Sequence, residues 1–574
     1  MATSLNPQDF LVVSAIDFGT TYSGYAFSLR DSPNDLYSPQ TWYAGGSTLA
    51  SLKTPTCILL KENQSFDSFG YEAQNRYATL AEDGNHQDYY FFQQFKMTLH
   101  KNRSLSRGTI LEDITGKALP AMLIFSLSIN YFKDHILQSL RDRIPTICLE
   151  DIRFVLTVPA IWDDNAKQFM REAAINAGID GRRLILALEP EAASFYCKQL
   201  PVEKLPGGEG FTEAPDGTKY LIADIGGGTA DFCVHQKVYK EKIKEIHRAS
   251  GGAFGGIYVD TEYEKFILKA FGSQSLQQLK IKDMFDFLEI MRSFEVKKRD
   301  ANLQQVGNIV IRIPVNLVEV SKSQITDLGK HIEKQFGHDE VSVSGDKLKM
   351  KRDLFNAFFS KSINGIINHI SDILRKFPDI RMILLVGGYA ESPILQTRMK
   401  NSFKEQILII PQQCGMAVVK GAVLYGHKPE LISSRILKYT YGVNHNLTFD
   451  PKQHPEERKY INEDGKEKCH GTVKKLISRG TSVKTTGEVK TVTAAPYERS
   501  SKSLTTKVYF SKEEDPTFTD QCTLLGKVEL KLPPYAGKRR VVQESFTFGQ
   551  TEISVTTTFL ETGDKVEASF DLLE

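Results

Sequence analysis

Two short segments of this chain repeat one pattern, and this repeat restricts the possible folds more than any other feature of the sequence. VSAIDFGTTYSGYAF at 13–27 and LIADIGGGTADFCVH at 221–235 both run from an apolar strand through an aspartate and a glycine-rich turn to a threonine and a second strand. The pattern predicts two similar halves whose turns face each other across a cleft. That geometry is suited to holding a polyphosphate.

The two turns contain the residue types that bind a phosphate together with its counter-ion. Glycines let the backbone approach a ligand, and main-chain N–H groups then donate to phosphate oxygens. Threonine hydroxyls add donors, and carboxylates can hold a hydrated Mg²⁺ that bridges those oxygens. The candidate residues are Asp17, Gly19, Thr20, Thr21, Asp224, Gly226, Gly227, Gly228, Thr229 and Asp231. One such turn alone would more often be a structural hairpin, but two copies favour a nucleotide site. Neither is a Walker A loop, since no G-x-x-x-x-G-K-[ST] occurs.

The chain divides into two parts of different character. Its 574 residues are enough for several domains of ~100–200 residues each. From Phe10 to about Gly426, short β-branched runs alternate with longer helical patterns, which is typical of α/β layers. Beyond about Pro429, Thr/Val/Phe-rich segments alternate polar with apolar residues and predict an all-β module. Within it, the charged stretch 450–470 is expected to be an exposed loop.

Charge and hydropathy argue against two classes of partner. The 72 Lys and Arg residues nearly balance the 70 Asp and Glu residues, so no charge surplus favours nucleic acid. No apolar run approaches the ~18 residues of a membrane span, and the first residues do not resemble a signal peptide. We therefore expect a cytoplasmic protein with neither a nucleic-acid partner nor a membrane span.

Several motifs in order along residues 10–426 resemble one family. IDFGTTYS and ADIGGGTADF are similar to the two phosphate loops of the actin-like ATPases, and VLTVPAIWDD, LALEPEAAS, FGGIYVD and ILLVGGYAES resemble further motifs of the 70-kDa heat shock proteins among them. The overall pattern is nearest to the divergent twelve-type branch of that family. The resemblance implies an α/β fold, a duplicated actin-like (ribonuclease-H-like) two-lobed ATPase domain, followed by an all-β sandwich domain.

The resemblance also implies domain boundaries. We expect an N-terminal tail at 1–9, a nucleotide-binding domain at 10–428, a linker at 429–438 and a β-sandwich substrate-binding-like domain at 439–574. Lobe I would comprise about 10–215 plus 405–428, and lobe II about 219–404. No helical pattern follows the β module, so a helical lid is not expected. The linker is basic, whereas typical family members have an acidic, leucine-rich one.

By the same resemblance, four residues are implied in catalysis. Lys96, in QQFKMTL, matches the family's catalytic lysine, whose charge helps place the attacking water at the γ-phosphate. Glu189 matches the glutamate that orients water or Mg²⁺, although a glutamate that merely opens a helix would look the same. Asp224 and Asp231 complete the set, and Asp17 and Asp224 would hold Mg²⁺ through water.

On the nucleoside side, Glu295, Lys298 and Arg299 lie at i, i+3 and i+4 and share one helix face. That face is either a solvated charged stripe or, as the family's E-x-x-K-R pattern implies, a surface for ribose and adenine. The remaining implied nucleotide contacts are Tyr22, Gly255, Gly256, Gly387, Gly388 and Tyr389.

Three positions depart from the family pattern near the nucleoside. After the VGG, where typical members carry Ser and then Arg, this chain has Tyr389 and Glu391, and Gly415 stands where an Asp is expected. These departures predict an altered affinity for nucleotide rather than loss of binding.

The leading interpretation is a weak, slow ATPase (ATP and water to ADP and phosphate) that acts as a chaperone-like, stress-response protein. ATP/ADP and Mg²⁺ would be its cofactors, unfolded or extended peptides its clients, and a co-chaperone or exchange factor a further partner. Two alternatives remain open: a nucleotide-regulated scaffold with little turnover, and a small-molecule kinase of the actin-like superfamily.

Overall fold

The computed structural model describes residues 9–39, 42–43, 50–101, 105–201, 211, 213–239, 242–303, 305–462, 465–496, 498, 500–538, 540–566 and 568–573. Residues 1–8 of the expected N-terminal tail therefore lie outside the described part. The described chain is a mixed α/β structure, as the sequence predicts. Within it, no helix is both long and apolar enough to cross a bilayer.

The first part of the chain is built on a six-stranded sheet. Its main strand order is β13-β12-β1-β2-β3, with β1 parallel to β12 and antiparallel to β2. The elements of residues 12–199 are β1 (Val12–Asp17), β2 (Tyr22–Leu29), β3 (Ser32–Tyr37), β4 (Trp42–Tyr43), β5 (Ala50–Ser51), β6 (Thr54–Pro55), β7 (Cys57–Leu60), β8 (Phe66–Phe69), α1 (Gly70–Glu82), β9 (Tyr90–Gln93), α2 (Met97–Lys101), β10 (Ile110–Glu112), β11 (Ala118–Pro120), α3 (Ala121–Arg141), β12 (Ile152–Val158), α4 (Asp164–Asn176), β13 (Leu184–Leu188) and α5 (Glu189–Gln199).

The next part is built on a seven-stranded sheet. The elements of residues 219–436 are β14 (Lys219–Ile225), β15 (Ala230–Lys237), β16 (Ile243–Gly252), α6 (Ile257–Phe271), α7 (Ser273–Lys282), α8 (Met284–Asp300), β17 (Ile309–Arg312), α9 (Val315–Gln324), α10 (Leu328–Phe336), β18 (Val341–Ser344), β19 (Lys347–Met350), α11 (Arg352–Lys376), β20 (Met382–Val386), α12 (Pro393–Ser402), β21 (Ile407–Ile409), α13 (Ala417–His427) and β22 (Ile432–Ile436). The order β21-β20-β14-β15-β16 has the same strand directions as β13-β12-β1-β2-β3 in the first sheet.

Helices α5 and α13 each contribute to two apolar clusters, one that includes strands of the first sheet and one that includes strands of the second. Ala192 of α5 and Val419 of α13 belong to a core cluster with Val13 of β1 and Val155 of β12. The adjacent Ala193 and Val418 belong to another cluster with strands of the second sheet, among them Ile222 of β14. Because each helix packs on both sheets, the carboxyl ends of β1 and β14 are held near one another.

Beyond β22 the long elements of the described chain are all strands, and most of them form two antiparallel sheets. They are β23 (Thr440–Asn444), β24 (Lys459–Ile461), β25 (Glu467–Cys469), β26 (Val473–Ile477), β27 (Ser482–Lys484), β28 (Glu488–Ala494), β29 (Ser503–Ser511), β30 (Thr523–Lys531), β31 (Val542–Phe548), β32 (Ser554–Phe559), β33 (Lys565–Val566) and β34 (Ala568–Asp571). The sheet orders are β26-β23-β29-β30-β34 and β28-β31-β32-β33. Burial alternates along β31, as expected when one face of a sheet covers a core.

Two segments differ from the simple expectation of loops. The segment assigned to the linker contains β22, which pairs parallel with β16 and antiparallel with β27. The charged stretch 450–470 contains the hairpin β24–β25, and its Cys469 is fully buried while His454 is nearly so. The prediction of an exposed loop is therefore wrong for part of this stretch, because tertiary contacts shelter side chains that local polarity marks as exposed.

Candidate functional site

The first glycine hairpin follows the buried strand β1. Asp17, the last residue of β1, is 5% exposed. Its Oδ1 accepts a hydrogen bond from Thr157 Oγ1 at 2.8 Å, and its Oδ2 accepts one from Lys53 Nζ at 2.5 Å. The Gly19 N–H donates to Ser23 Oγ at 3.0 Å, which fixes the turn that carries Thr20 and Thr21. A buried carboxylate with two donors thus lies at the base of the turn.

The second hairpin follows β14 and has the same plan. Asp224 pairs in register with Asp231 of β15, and the Gly226 N–H donates to the Thr229 carbonyl at 2.9 Å to close the turn. Asp231 Oδ2 accepts a hydrogen bond from the Ala160 N–H at 3.1 Å. Its Oδ1 is buried with no hydrogen-bond partner among the described residues.

The two hairpins contact each other directly. A Cβ atom on Gly227 would overlap Thr21 Oγ1, and one on Gly228 would lie 2.6 Å from Thr20 Oγ1 and overlap Met97 Sδ. Only glycine permits this approach. A triphosphate between the hairpins must therefore displace the threonine side chains or separate the turns.

The FGG turn supports the second hairpin. The Gly255 N–H donates to the Gly228 carbonyl at 3.3 Å, and the Gly256 N–H donates to the Gly226 carbonyl at 3.2 Å. Gly256 is also the residue that precedes α6, so the hairpin is fixed to the amino end of that helix.

Lys96 and Glu189 form a buried ion pair beside the hairpins. Lys96 Nζ lies 2.8 Å from Glu189 Oε1 and 5.1 Å from the centroid of the Trp162 ring. The Lys96 side chain is 4% exposed and the Glu189 side chain 13%. Glu189 is the first residue of α5, so the pair lies where the central helix layer meets the hairpins.

The carboxylates outnumber the ammonium groups in this region, and the pKa values reflect that imbalance. Burial, with Glu189 and Asp231 nearby, raises the pKa of Asp224 well above its usual value. Burial and Glu189 raise the pKa of Asp231 to about 8, although Lys96 opposes the shift. Burial also raises the pKa of Glu189, again against the opposing charge of Lys96. The site therefore favours binding of a further cation.

The donor set fits a hydrated Mg²⁺ better than a directly chelated metal. Within the described ranges, no three His, Cys, Asp or Glu side chains come close enough together to coordinate a metal ion. Such a cation would attract the unpartnered oxygen of Asp231, and it would lower the raised pKa of Asp224. A metal held mainly through its water molecules agrees with both observations.

The predicted nucleoside residues form a charged cluster on α8 and α6. Glu295 Oε1 accepts from Arg299 Nε at 2.8 Å, and Lys298 Nζ lies 2.6 Å from both Glu295 Oε2 and Asp260 Oδ1. The Arg299 guanidinium lies 4.5 Å from the centroid of the Tyr22 ring. Burial alone would raise the pKa of Glu295, but Lys298 and Arg299 hold that pKa below its usual value. Tyr22 thereby connects this cluster to the first hairpin.

Gly387, Gly388 and Tyr389 follow β20, the strand beside β14. A Cβ atom on Gly387 would come within 2.6 Å of Asp224 Oδ1, and the Tyr389 ring lies 3.5 Å from the corresponding position on Gly256. The loop therefore contacts the second hairpin and the FGG turn. Two of the three positions that depart from the family pattern also contact each other here, since Glu391 Oε1 accepts a hydrogen bond from the Gly415 N–H at 3.1 Å.

These contacts bring the predicted phosphate, catalytic and nucleoside residues into one connected region. The residues of that region that were not predicted include Lys53, Thr157 and Asp260, each of which contacts a predicted carboxylate or ammonium group. The sequence offered an indication for Thr157, because a threonine within the fully buried strand β12 needs a hydrogen-bond partner. It offered no indication for Lys53, since a lone lysine in a turn is usually solvated.

A cavity of about 660 Å³ lies elsewhere, between α9, α10 and the strands β18–β19. Its lining includes Val318, Leu328, Ile332 and Val341 and none of the predicted site residues. The cavity is therefore not part of the hairpin site.

Comparisons with known proteins relate the whole chain to one group. Heat shock 70 kDa protein 12A of Homo sapiens is 34% identical, with 99% of this chain and 92% of the relative covered. Heat shock 70 kDa protein 12B of Homo sapiens is 33% identical, with 98% and 91% covered. Chaperone protein DnaK of Methanothermobacter thermautotrophicus is 24% identical over 72% of this chain and 59% of the relative. A family model described as a domain of unknown function (DUF8340) matches residues 213–411.

Proposed function

The chain belongs to the 70-kDa heat shock protein family, in the branch of heat shock 70 kDa proteins 12A and 12B, and from that membership we propose that it is an ATP-binding, slowly ATP-hydrolysing chaperone-like protein. Residues 10–428 would form a two-lobed actin-like ATPase domain, and residues 439–574 a β-sandwich that binds extended peptide. One observation carries the proposal: two glycine hairpins, each preceded by a buried aspartate, meet beside a buried Lys–Glu pair.

Binding would use the backbone and hydroxyl donors of both hairpins. The N–H groups of the turns at 19–21 and 226–229 and the threonine hydroxyls would donate to the phosphate oxygens in place of their present contacts. When bound, Mg²⁺ supplies positive charge that offsets the phosphates and the carboxylates of Asp17 and Asp224.

Hydrolysis would depend on the Lys96–Glu189 pair. The Lys96 ammonium would hold the attacking water near the γ-phosphate, and Glu189 would orient that ammonium and accept hydrogen bonds from the water. Asp231, whose Oδ1 has no hydrogen-bond partner among the described residues, would accept a hydrogen bond from the water and help to orient it.

A nucleotide-regulated scaffold with little turnover is the second candidate function. The pairing of Glu391 with Gly415 favours it, because a carboxylate stands where the family pattern has an arginine for the base. Under this alternative, ATP binds but is hydrolysed too slowly to drive client release, and the β part holds a protein partner.

Calorimetric ATP binding and single-turnover hydrolysis test the proposal. We expect Asp17→Asn to weaken binding of Mg·ATP, and Lys96→Met to spare binding while slowing phosphate release about 10²-fold or more, since it removes one positioned charge. Lys61→Met, at an exposed lysine, is the matched control. Tight binding without phosphate release over hours in the unaltered chain would favour the scaffold, and equal rates in all variants would refute the assigned roles.

A further inference from the structure

The side chain of Lys53 extends across strand β2 to the first hairpin. The residue lies in the turn between β5 and β6, outside every motif identified in the sequence. Its side chain crosses β2 at Gly24, where an added Cβ atom would lie 2.9 Å from Lys53 Cγ. Gly24 is the register partner of Asp17. A glycine at this position therefore gives the lysine access to the aspartate.

The Lys53 ammonium is buried against Asp17. The Nζ–Oδ2 distance is 2.5 Å, and the two side chains are 15% and 7% exposed. Burial alone would lower the pKa of Lys53, but Asp17 holds that pKa above its usual value, with smaller contributions from Glu391 and Asp224. Likewise burial would raise the pKa of Asp17, but Lys53 and Lys96 hold it below its usual value. The short distance and the burial of both side chains identify a buried ion pair.

The two hairpins differ in how their aspartates are neutralised. At the first, Thr157 and Lys53 engage both oxygens of Asp17. At the second, Asp231 has an oxygen without a partner among the described residues, and the nearby Lys96 is paired with Glu189. A lysine from outside the first hairpin thus neutralises Asp17, whereas Asp231 of the second hairpin has a partner for only one of its oxygens among the described residues.

We propose that Lys53 is a phosphate-binding residue of the nucleotide site, and that its ammonium supplies at the first hairpin part of the positive charge that Mg²⁺ would otherwise provide. This inference rests on the proposed ATP binding. A lysine ammonium has three donors, and the described residues engage one of them, through Asp17. The same group is held beside the turn that carries Thr20 and Thr21, so it lies within the region where the phosphates would enter. Binding of ATP then depends less on Mg²⁺ than in a site with carboxylates alone.

The test is a calorimetric titration of ATP into the intact chain, once with Mg²⁺ and once with EDTA. We expect Lys53→Met to weaken ATP binding about 10- to 100-fold in EDTA, the range for a hydrogen bond to a charged group, and by less with Mg²⁺. Lys53→Arg, which keeps the charge, is expected to retain most of the affinity in EDTA. Lys61→Met is the matched control for removal of a lysine from the same region.

A double variant separates phosphate binding from a merely structural role. In Asp17→Asn/Lys53→Met no buried charge is left unpaired, so the fold should be retained, which circular dichroism verifies. If Lys53 only neutralises Asp17, this variant recovers the affinity in EDTA; if Lys53 binds phosphate, the affinity stays low. Recovery, or equal Mg²⁺ dependence in Lys53→Met and the unaltered chain, would overturn the inference. Absence of ATP binding by the unaltered chain would instead contradict the proposed function.

Discussion

Close backbone approach and buried charge define the site at the scale of single residues. Glycines at 227 and 228 and aspartates at 17 and 224 could be predicted to lie in two similar turns, because the repeated order of strand, aspartate, glycine and threonine is visible in the local sequence. Lys53 could not, since its contact with Asp17 depends on the path of a distant turn across β2. Local sequence therefore identified the turns but not the lysine that contacts Asp17 from elsewhere in the chain.

Glu391 gives a prediction about nucleotide affinity. Replacing Glu391 with Arg adds a cation that can stack on the base and removes a carboxylate from an anion site, so we expect ATP to bind roughly tenfold more tightly. Glu391→Gln, which keeps the acceptor for the Gly415 N–H, is the matched control and should give a smaller gain. Calorimetry measures both, and an unchanged or weakened affinity in Glu391→Arg would contradict the role assigned to this position.

Glu544 gives a prediction about pH. Its side chain is buried on β31, where Thr506 Oγ1 donates to Oε1 at 2.6 Å and Oε2 has no partner within the described chain. Burial raises the pKa of Glu544 to about 7, and Thr506 opposes the shift only in part. The folded chain therefore favours the protonated carboxyl of Glu544. The contribution of this group to the free energy of unfolding is fully present below its unfolded pKa of ~4.3, and it is lost as the pH rises through 7.

We accordingly expect Glu544→Gln to stabilise the folded chain at pH 8.5 by on the order of 2 kcal/mol, and to have little effect at pH 5. Urea unfolding followed by circular dichroism at both pH values measures the difference. The opposite pattern, with the gain confined to pH 5, would show that Glu544 is ionised in the folded protein.

At the scale of elements, helix α5 contacts both the hairpin site and β22, the strand that leads into the β part. The helix begins with Glu189 of the hairpin site. Glu191, in the same first turn, accepts two hydrogen bonds of 2.7 Å each from Arg435 of β22. Arg435 also donates to the Gly549 carbonyl at 3.0 Å. The family resemblance implied a linker here, and the pairing of Ile432–Ile436 with β16 is a tertiary contact that the resemblance did not imply.

The Arg435–Glu191 pair gives a prediction about stability. Both residues are buried, so Arg435→Met leaves an uncompensated carboxylate and should lower the free energy of unfolding by about 3–5 kcal/mol. The double variant Glu191→Gln/Arg435→Met removes both charges and should lose clearly less. Urea midpoints measure both variants, and a single variant no less stable than the double would exclude a stabilising pair.

At the scale of the whole molecule, the β part contacts α4 and the segment that precedes β10. Arg171 lies 2.5 Å from Glu552, Arg107 lies 2.8 Å from Asp571, and the Tyr441 hydroxyl donates to Asp164 at 3.0 Å. The order of an α/β part followed by strands could be predicted from residue patterns. These contacts could not, because a charged side chain such as Arg171 carries no local signal of its partner.

The central claim is that the phosphates of ATP lie between the two glycine hairpins. The structure of the intact chain with Mg²⁺ and a non-hydrolysable ATP analogue tests it most directly. We predict that the triphosphate lies between residues 19–21 and 226–229 and replaces the present contact between Thr21 and Gly227. Hairpins still in contact, with the analogue absent or bound elsewhere, for instance in the cavity beside Leu328, would contradict the account.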